Sequence, residues 1–178
     1  MDATLIKNYL KKIPLMSYFH ELTLENIGKI CIARAFQNNQ IIFKEGDSGR
    51  SIYVVMSGKV HIMKTIGSSA EIKLSTISED MIFGEMALLA NIKRSGSAIA
   101  QGDVQCIEMR ATEFMQIISK ESVTAFRFIS ELAKILCQRL DQLDQEFISH
   151  LTSCSHCKEE RIKDFITINE KLYSHWDF

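Results

Sequence analysis

At 178 residues, 46% apolar and 24% charged, the chain has the make-up of one globular domain with room for a helical appendage; neither a disordered nor a fibrous class fits. Lys plus Arg number 21 against 22 Asp plus Glu, a net charge of −1, which argues against a broad nucleic-acid footprint while allowing a small basic site. Five scattered cysteines (31, 106, 137, 154 and 157) read as reduced thiols rather than a disulfide framework.

The N-terminus, Met1 to Lys7, carries an early acid and no apolar run, so no signal peptide is expected. The longest stretch free of Asp, Glu, Lys and Arg, Phe147–Cys157, falls short of the ~20 residues that span a bilayer, so a soluble, cytoplasmic protein with no membrane partner is expected. Leu5, Ile6, Tyr9, Leu10 and Ile13 recur at helical spacing and stop at Pro14. A second helix is predicted from Thr23 as cap, with Ile27, Ile30, Cys31 and the stem of Arg34 on its inner face, so residues 5–36 read as helical and 1–38 as an N-terminal helical bundle.

The period then changes. Short β-rich runs follow at Ile41–Phe43, Ser51–Met56, Lys59–Thr65, Glu71–Ile77, Met81–Phe83, Ser97–Ala100 and Val104–Arg110. The turn signals between them include Gly46-Asp47-Ser48-Gly49, Ser57-Gly58 and Gly102-Asp103. Short strands joined by small turns predict a sandwich, barrel or jelly roll over 39–111 rather than a parallel sheet. A short helix is predicted at Glu85–Asn91 and another from Thr112, with Phe114, Ile117 and Ile118 inward. A long helix follows from Val123 to about Leu151. Its apolar positions at 129, 132, 136, 140, 143, 147 and 151 form a seam narrow enough for helix pairing, with polar residues on its other sides beyond Leu136. We assign 112–151 to these helices and 152–178 to a helical tail anchored by Trp176.

Two segments carry chemistry. Ile42 to Gly58 reads as strand, glycine turn, buried strand and a second turn, which alone describes a β-hairpin. In Phe83-Gly84-Glu85-Met86-Ala87-Leu88-Leu89, a glycine before a short helix lets the backbone approach an anion, and Arg94 lies where the chain re-enters a strand. Its planar fork suits two phosphate oxygens, while Glu85 can accept from a sugar hydroxyl. The bland alternative is that Glu85 and Arg94 pair with each other on the surface.

Together the two segments resemble the cyclic nucleotide-binding domain family, the family of the catabolite activator protein and the protein kinase A regulatory subunits. Its first signature (a branched pair, Gly-acidic-x-Gly, four apolar residues and a final Gly) is met from Ile42 to Gly58, departing at Phe43, where Val, Ile or Cys is usual. Its second is met from Phe83 to Ser95, with Gly96 in place of the usual Ala. The resemblance covers about residues 5–147. It implies an α+β fold: a β jelly roll (double-stranded β-helix) flanked by N-terminal helices and a long C-terminal dimerisation helix. It implies that a phosphate-binding cassette holds Gly84, Glu85, Met86 and Ala87. Within it the N–H groups of Gly84 and Ala87 meet the cyclic phosphate, and Glu85 takes the ribose 2′-hydroxyl. Arg94 is then the phosphate counter-ion, and Ser95 bonds phosphate or purine. Asp144 on the long helix is placed to reach the base. The implied ligand is cyclic AMP ahead of cyclic GMP, with no further cofactor.

Other classes fit less well. A jelly-roll metalloenzyme needs several inward ligands, yet Gln40–Arg110 holds one histidine, His61, and neither Ser95 nor Ser97 has a histidine nearby, so no catalysis is expected. The residues after Phe147 carry four Lys/Arg (158, 161, 163, 171) and five Asp/Glu (159, 160, 164, 170, 177), which makes a DNA-recognition helix and a nucleic-acid partner unexpected. His150, Cys154 and Cys157 offer a zinc half-site, which free thiols at a helix end imitate. The expected assembly is a homodimer through the long helix, with an unidentified protein effector as a further partner. The alternative is a relative of the catabolite activator protein that has lost its DNA-binding domain and acts through protein partners, or no longer binds nucleotide.

Overall fold

The computed structural model describes residues 1–67, 70–86, 92–153 and 167, and divides the chain into two units, Met1–Ile129 and Ser130–Phe178. Helix α1 (Ala3–Leu10) starts under an Asp2 cap whose carboxylate accepts from the Leu5 N–H at 2.9 Å, and it buries Ile6 and Leu10. Pro14 opens a single 3₁₀ turn, Pro14–Met16, and α2 (Glu21–Ile30) buries Leu24 and Ile27. Thr23 is not its cap: α2 begins two residues earlier, and the Thr23 hydroxyl instead donates to Glu121.

The helical reading of 5–36 also fails at its end. Cys31–Phe36 is strand β1, paired antiparallel with the last strand, so the helical entry stops at Ile30 rather than near residue 38. The burial of β1 explains the error, since one of its six residues is buried and one half-buried, leaving no period-two alternation for a pattern to reveal.

The remaining strands are β2 (Ile41–Phe43), β3 (Ser51–Ile66), β4 (Ala70–Ile77), β5 (Ile82–Phe83) and β6 (Ser97–Arg110). They form a six-stranded antiparallel sheet in the order β1-β6-β3-β4, with β2 also on β6 and β5 also on β3. Two pairs of runs that look separate in sequence are continuous strands here. Each passes through a glycine with positive φ, Gly58 at 85° in β3 and Gly102 at 71° in β6. The β3–β6 register shifts around Gly58, where a β-carbon would stand 2.4 Å from the Asp103 carbonyl oxygen, so only glycine lets the two strands cross this closely.

The barrel core is Val55, Val60, Ile77, Phe83, Ala98, Ala100, Val104 and Cys106, with Phe43 and Ile62 packed at its margin. Helix α3 (Ala111–Ile118) begins one residue before the expected Thr112 cap. Helix α4 runs Ser122–Ser153, and its first turns belong to the first unit. Phe114 of α3 and Phe128 of α4 pack edge-on at 5.2 Å, and Phe19 lies 5.5 Å from Phe128, so three buried rings join the entry helices to α3 and α4. From α1, the Tyr9 hydroxyl donates to Asp80 at 2.7 Å, and burial pushes its pKa up.

In the second unit Leu136 is half-buried, while Leu140 and Leu143 are exposed. The side chains of Phe147, His150 and Leu151, together with Cys154, Cys157 and Trp176, lie outside the described residues, as do the expected metal half-site and helical tail. Among the described residues no helix is long and apolar enough to cross a membrane.

Candidate functional site

Three pieces of backbone meet beside β3: the turn before it, the three residues after β5, and the segment leading into β6. Main-chain bonds clamp the first to the third, with Gly46 N–H donating to the Arg94 carbonyl and Arg94 N–H to the Asp47 carbonyl, both at 2.9 Å. Arg94 is therefore fixed at its backbone before its side chain makes any contact.

That side chain points into the protein. Its Nη1 donates to the Gly84 carbonyl at 2.9 Å and its Nη2 to the Ser51 carbonyl at 2.6 Å. The Phe43 ring lies under the guanidinium, with Cζ 4.0 Å from the ring centroid, and the Tyr53 ring is 5.9 Å away. Arg94 is 6% exposed, and its Nε is buried with no hydrogen-bond partner among the described residues. Burial pushes the guanidinium below its usual pKa, yet from so high a start it remains charged. A buried cation whose described hydrogen bonds end on neutral carbonyls has paid desolvation without receiving full charge compensation.

Gly84 makes this possible. Its φ is +78°, and a β-carbon there would stand 2.6 Å from Arg94 Nη1 and 3.3 Å from the Ser51 carbonyl oxygen. Next to it, Glu85 is 4% exposed, so the alternative of a solvated Glu85–Arg94 pair at the surface is removed. Met86 is exposed, and the Ser95 hydroxyl donates to its sulfur at 3.5 Å. The structure thus brings Gly84, Glu85, Met86, Arg94 and Ser95 together. Ala87 lies outside the described residues, and Asp144 is an exposed residue of α4 in the second unit.

Sequence reasoning gave no role to several neighbours. Lys64 on β3 donates to the Ser95 carbonyl at 2.8 Å and pairs with Glu45, whose carboxylate also accepts from the Thr65 N–H. The Lys64 and Thr65 bonds hold the Glu45 carboxyl below its ordinary range. On the far side of Ser51, its hydroxyl donates to Glu108 at 2.7 Å while Arg34 Nε donates to the same carboxylate at 2.8 Å. Burial pushes the Glu108 pKa up, but the Ser51 and Arg34 bonds outweigh it and the net shift is downward. Only the unusual Phe43 carried a signal in the sequence, as the departure from a signature. Glu108 carried none, because its partners are 57 and 74 residues away.

A buried arginine whose Nε–H has no partner among the described residues, a buried carboxylate and a glycine backbone are the chemistry that a ligand with both an anionic oxygen and a hydroxyl would need. Residues 33–121 match the family described as the cyclic nucleotide-binding domain. The chain belongs to that family. The cyclic AMP receptor protein of Thermus thermophilus is 32% identical over 113 residues, 64% of this chain and 50% of that protein. The crystal structure of the Thermus thermophilus catabolite activator protein aligns at a TM-score of 0.63 and 27% identity, covering 76% of this chain and 63% of that one. The regulatory domain of Toxoplasma gondii protein kinase A, crystallised with cyclic AMP, aligns at 0.64 and 20% identity over 74% of this chain and 49% of that one, which bears on the fold alone. The chain spans half or less of the length of the curated relatives it matches. The Phe83–Ser95 segment of this cyclic nucleotide-binding domain lies within the matched residues, as do Phe43 and Glu108.

Proposed function

We propose that the chain is a non-catalytic receptor for a cyclic nucleotide, cyclic AMP ahead of cyclic GMP, with Arg94 as counter-ion of the cyclic phosphate and Glu85 as acceptor of the ribose 2′-hydroxyl. The observation that carries it is the buried Arg94, stacked on Phe43, bonded to two carbonyls and left with an Nε–H that has no partner among the described residues, beside the buried Glu85. A singly charged cyclic phosphodiester supplies the missing acceptor and charge together. The Gly84 and Ala87 N–H groups add neutral donors to the phosphate, Met86 and Ser95 border the ligand, and Asp144 contacts its base.

Isothermal titration of cyclic AMP and cyclic GMP, after removal of co-purified nucleotide, tests the reading. Saturable heat with one of them, lost in Arg94→Ala, is the expected result; no heat with either overturns it.

The receptor acts as a homodimer through α4, with Leu136, Leu140, Leu143, Phe147 and Leu151 at the seam, and occupancy moves that helix toward a protein effector. The exposure of Leu140 and Leu143 supports the seam, since a polar helix gains nothing from wet leucines. Sedimentation equilibrium at ~10 μM should give a dimer, the assembly that an interface of standard size sustains; a monomer with and without nucleotide refutes it.

A further inference from the structure

A guanidinium is a flat group with two kinds of surface. Anions bind its edge, where the N–H bonds point, whereas aromatic rings bind its face. In Arg94 the two are separated cleanly. The face rests on Phe43 at 4.0 Å, two edge nitrogens donate to the carbonyls of Gly84 and Ser51, and Nε keeps a buried N–H with no partner among the described residues. The two carbonyl bonds fix how the group turns within its plane, and the ring fixes the plane itself.

Phe43 can do this because it is held from behind. Its ring packs 5.9 Å from both Tyr53 and Phe83, which stack on each other at 5.1 Å and 19°, and Phe83 is 1% exposed. The three rings form a wall from β2, β3 and β5 that excludes water from one side of the cation. A charge-assisted bond made on the dry side of such a wall is stronger than the same bond in water. A branched aliphatic residue at position 43 fills space but has no π face, and the guanidinium above it is free to tilt.

We propose that Phe43 is a positioning residue for anion recognition: its ring sets the plane of the Arg94 guanidinium and thereby aims the open Nε–H at the phosphate. The proposal rests on the reading of Arg94 as the phosphate counter-ion. It makes the one departure from the first signature an affinity-setting feature of this chain rather than a neutral substitution.

The test uses the full chain and the cyclic nucleotide that the wild type binds. Phe43→Leu, which keeps apolar bulk without a ring, should weaken binding about tenfold, or 1.4 kcal/mol, while Phe43→Tyr, which keeps the face, stays near wild type. In ¹⁵N spectra of the ligand-free protein, the Arg94 Nε–H resonance should be sharp and slow to exchange in the wild type and in Phe43→Tyr, and broadened in Phe43→Leu. Phe43→Met serves in its place if the leucine variant melts early. Unchanged or tighter binding in Phe43→Leu, or an unaltered Nε–H resonance, overturns the proposal while the receptor reading stands. A wild-type chain that binds neither cyclic nucleotide overturns both.

Discussion

Two arginines sit on opposite sides of Ser51 and are compensated in opposite ways. Arg34 is half-exposed and donates to the carboxylate of Glu108, whose other oxygen takes the Ser51 hydroxyl. Arg94 is buried and donates to the Ser51 carbonyl, with a second carbonyl, an aromatic face and an orphan Nε–H around it. The first arrangement is complete: cation, anion and hydroxyl satisfy one another within the fold. The second holds the guanidinium by two carbonyls and a ring, with Asp47, Glu85 and Glu108 contributing charge, and among the described residues its Nε–H has no acceptor for an incoming anion to displace. The contrast separates an arginine that holds strands together from one that, on the proposed reading, meets the cyclic phosphate.

Replacing Arg94 by methionine tests that separation most severely. Arg94→Met keeps an unbranched apolar stem and removes a desolvated charge but leaves the Gly84 and Ser51 carbonyls without their donors, so thermal stability should fall by no more than about 1–3 kcal/mol. Cyclic nucleotide affinity should fall by ~2–5 kcal/mol, read by titration calorimetry. A large loss of stability with affinity intact would reverse the roles of the two arginines.

Gly84→Ala joins both effects. The added β-carbon meets Arg94 Nη1 at 2.6 Å on a backbone with φ of +78°. Positive φ costs a non-glycine residue ~1–2 kcal/mol of stability, and the displaced guanidinium should lose at least about tenfold in nucleotide affinity. Binding at wild-type strength would show that the guanidinium position described here does not matter.

Glu108→Gln is the complementary change. Its loss should cost about 1 kcal/mol of stability, because one partner is half-exposed and screened, and leave nucleotide affinity alone. The pH dependence follows from the depressed pKa of Glu108. A carboxylate whose folded pKa lies below its unfolded value contributes stability that is present above about pH 4.3 and is lost as the pH falls through the folded pKa. Melting curves of wild type and Glu108→Gln should therefore converge in acid and separate toward neutral pH; a constant gap contradicts the ionic role.

How much of this the sequence displays depends on the range of the interactions. Gly84, Glu85, Arg94 and Ser95 lie within twelve residues, and their order in a recognisable signature makes the candidate site legible in the sequence. Gly58 and Gly102 read as turns because a sequence marks where the chain bends, not whether it stays in the ladder while bending. Cys31–Phe36 passes for helix because its strand buries too little to alternate. The stacking of Phe43 on Arg94 and the bridge from Arg34 to Glu108 join residues 51 and 74 positions apart, and only the barrel's pairing brings them together.

The smallest expected effect concerns the floor of the site. Lys64 stands on β3 and donates to the Ser95 carbonyl at 2.8 Å while pairing with Glu45. Both ends are accessible to water, with 40% and 28% side-chain exposure for Lys64 and Glu45, so the ion pair is screened and weak. The hydrogen bond to Ser95 is different in kind, because it pins the backbone next to Arg94 rather than adding charge. Lys64→Met removes the pin and keeps the stem. Nucleotide affinity should drop by about twofold, and raising the salt concentration should not erase the difference, since a backbone displaced by a fraction of an ångström stays displaced whatever the ionic strength. A deficit that vanishes in high salt would instead mean that Lys64 acts on the phosphate through its charge. In that case the cation holding the ligand would be shared between Arg94 and Lys64, and the contrast between one structural and one ligand-holding arginine would need a third member.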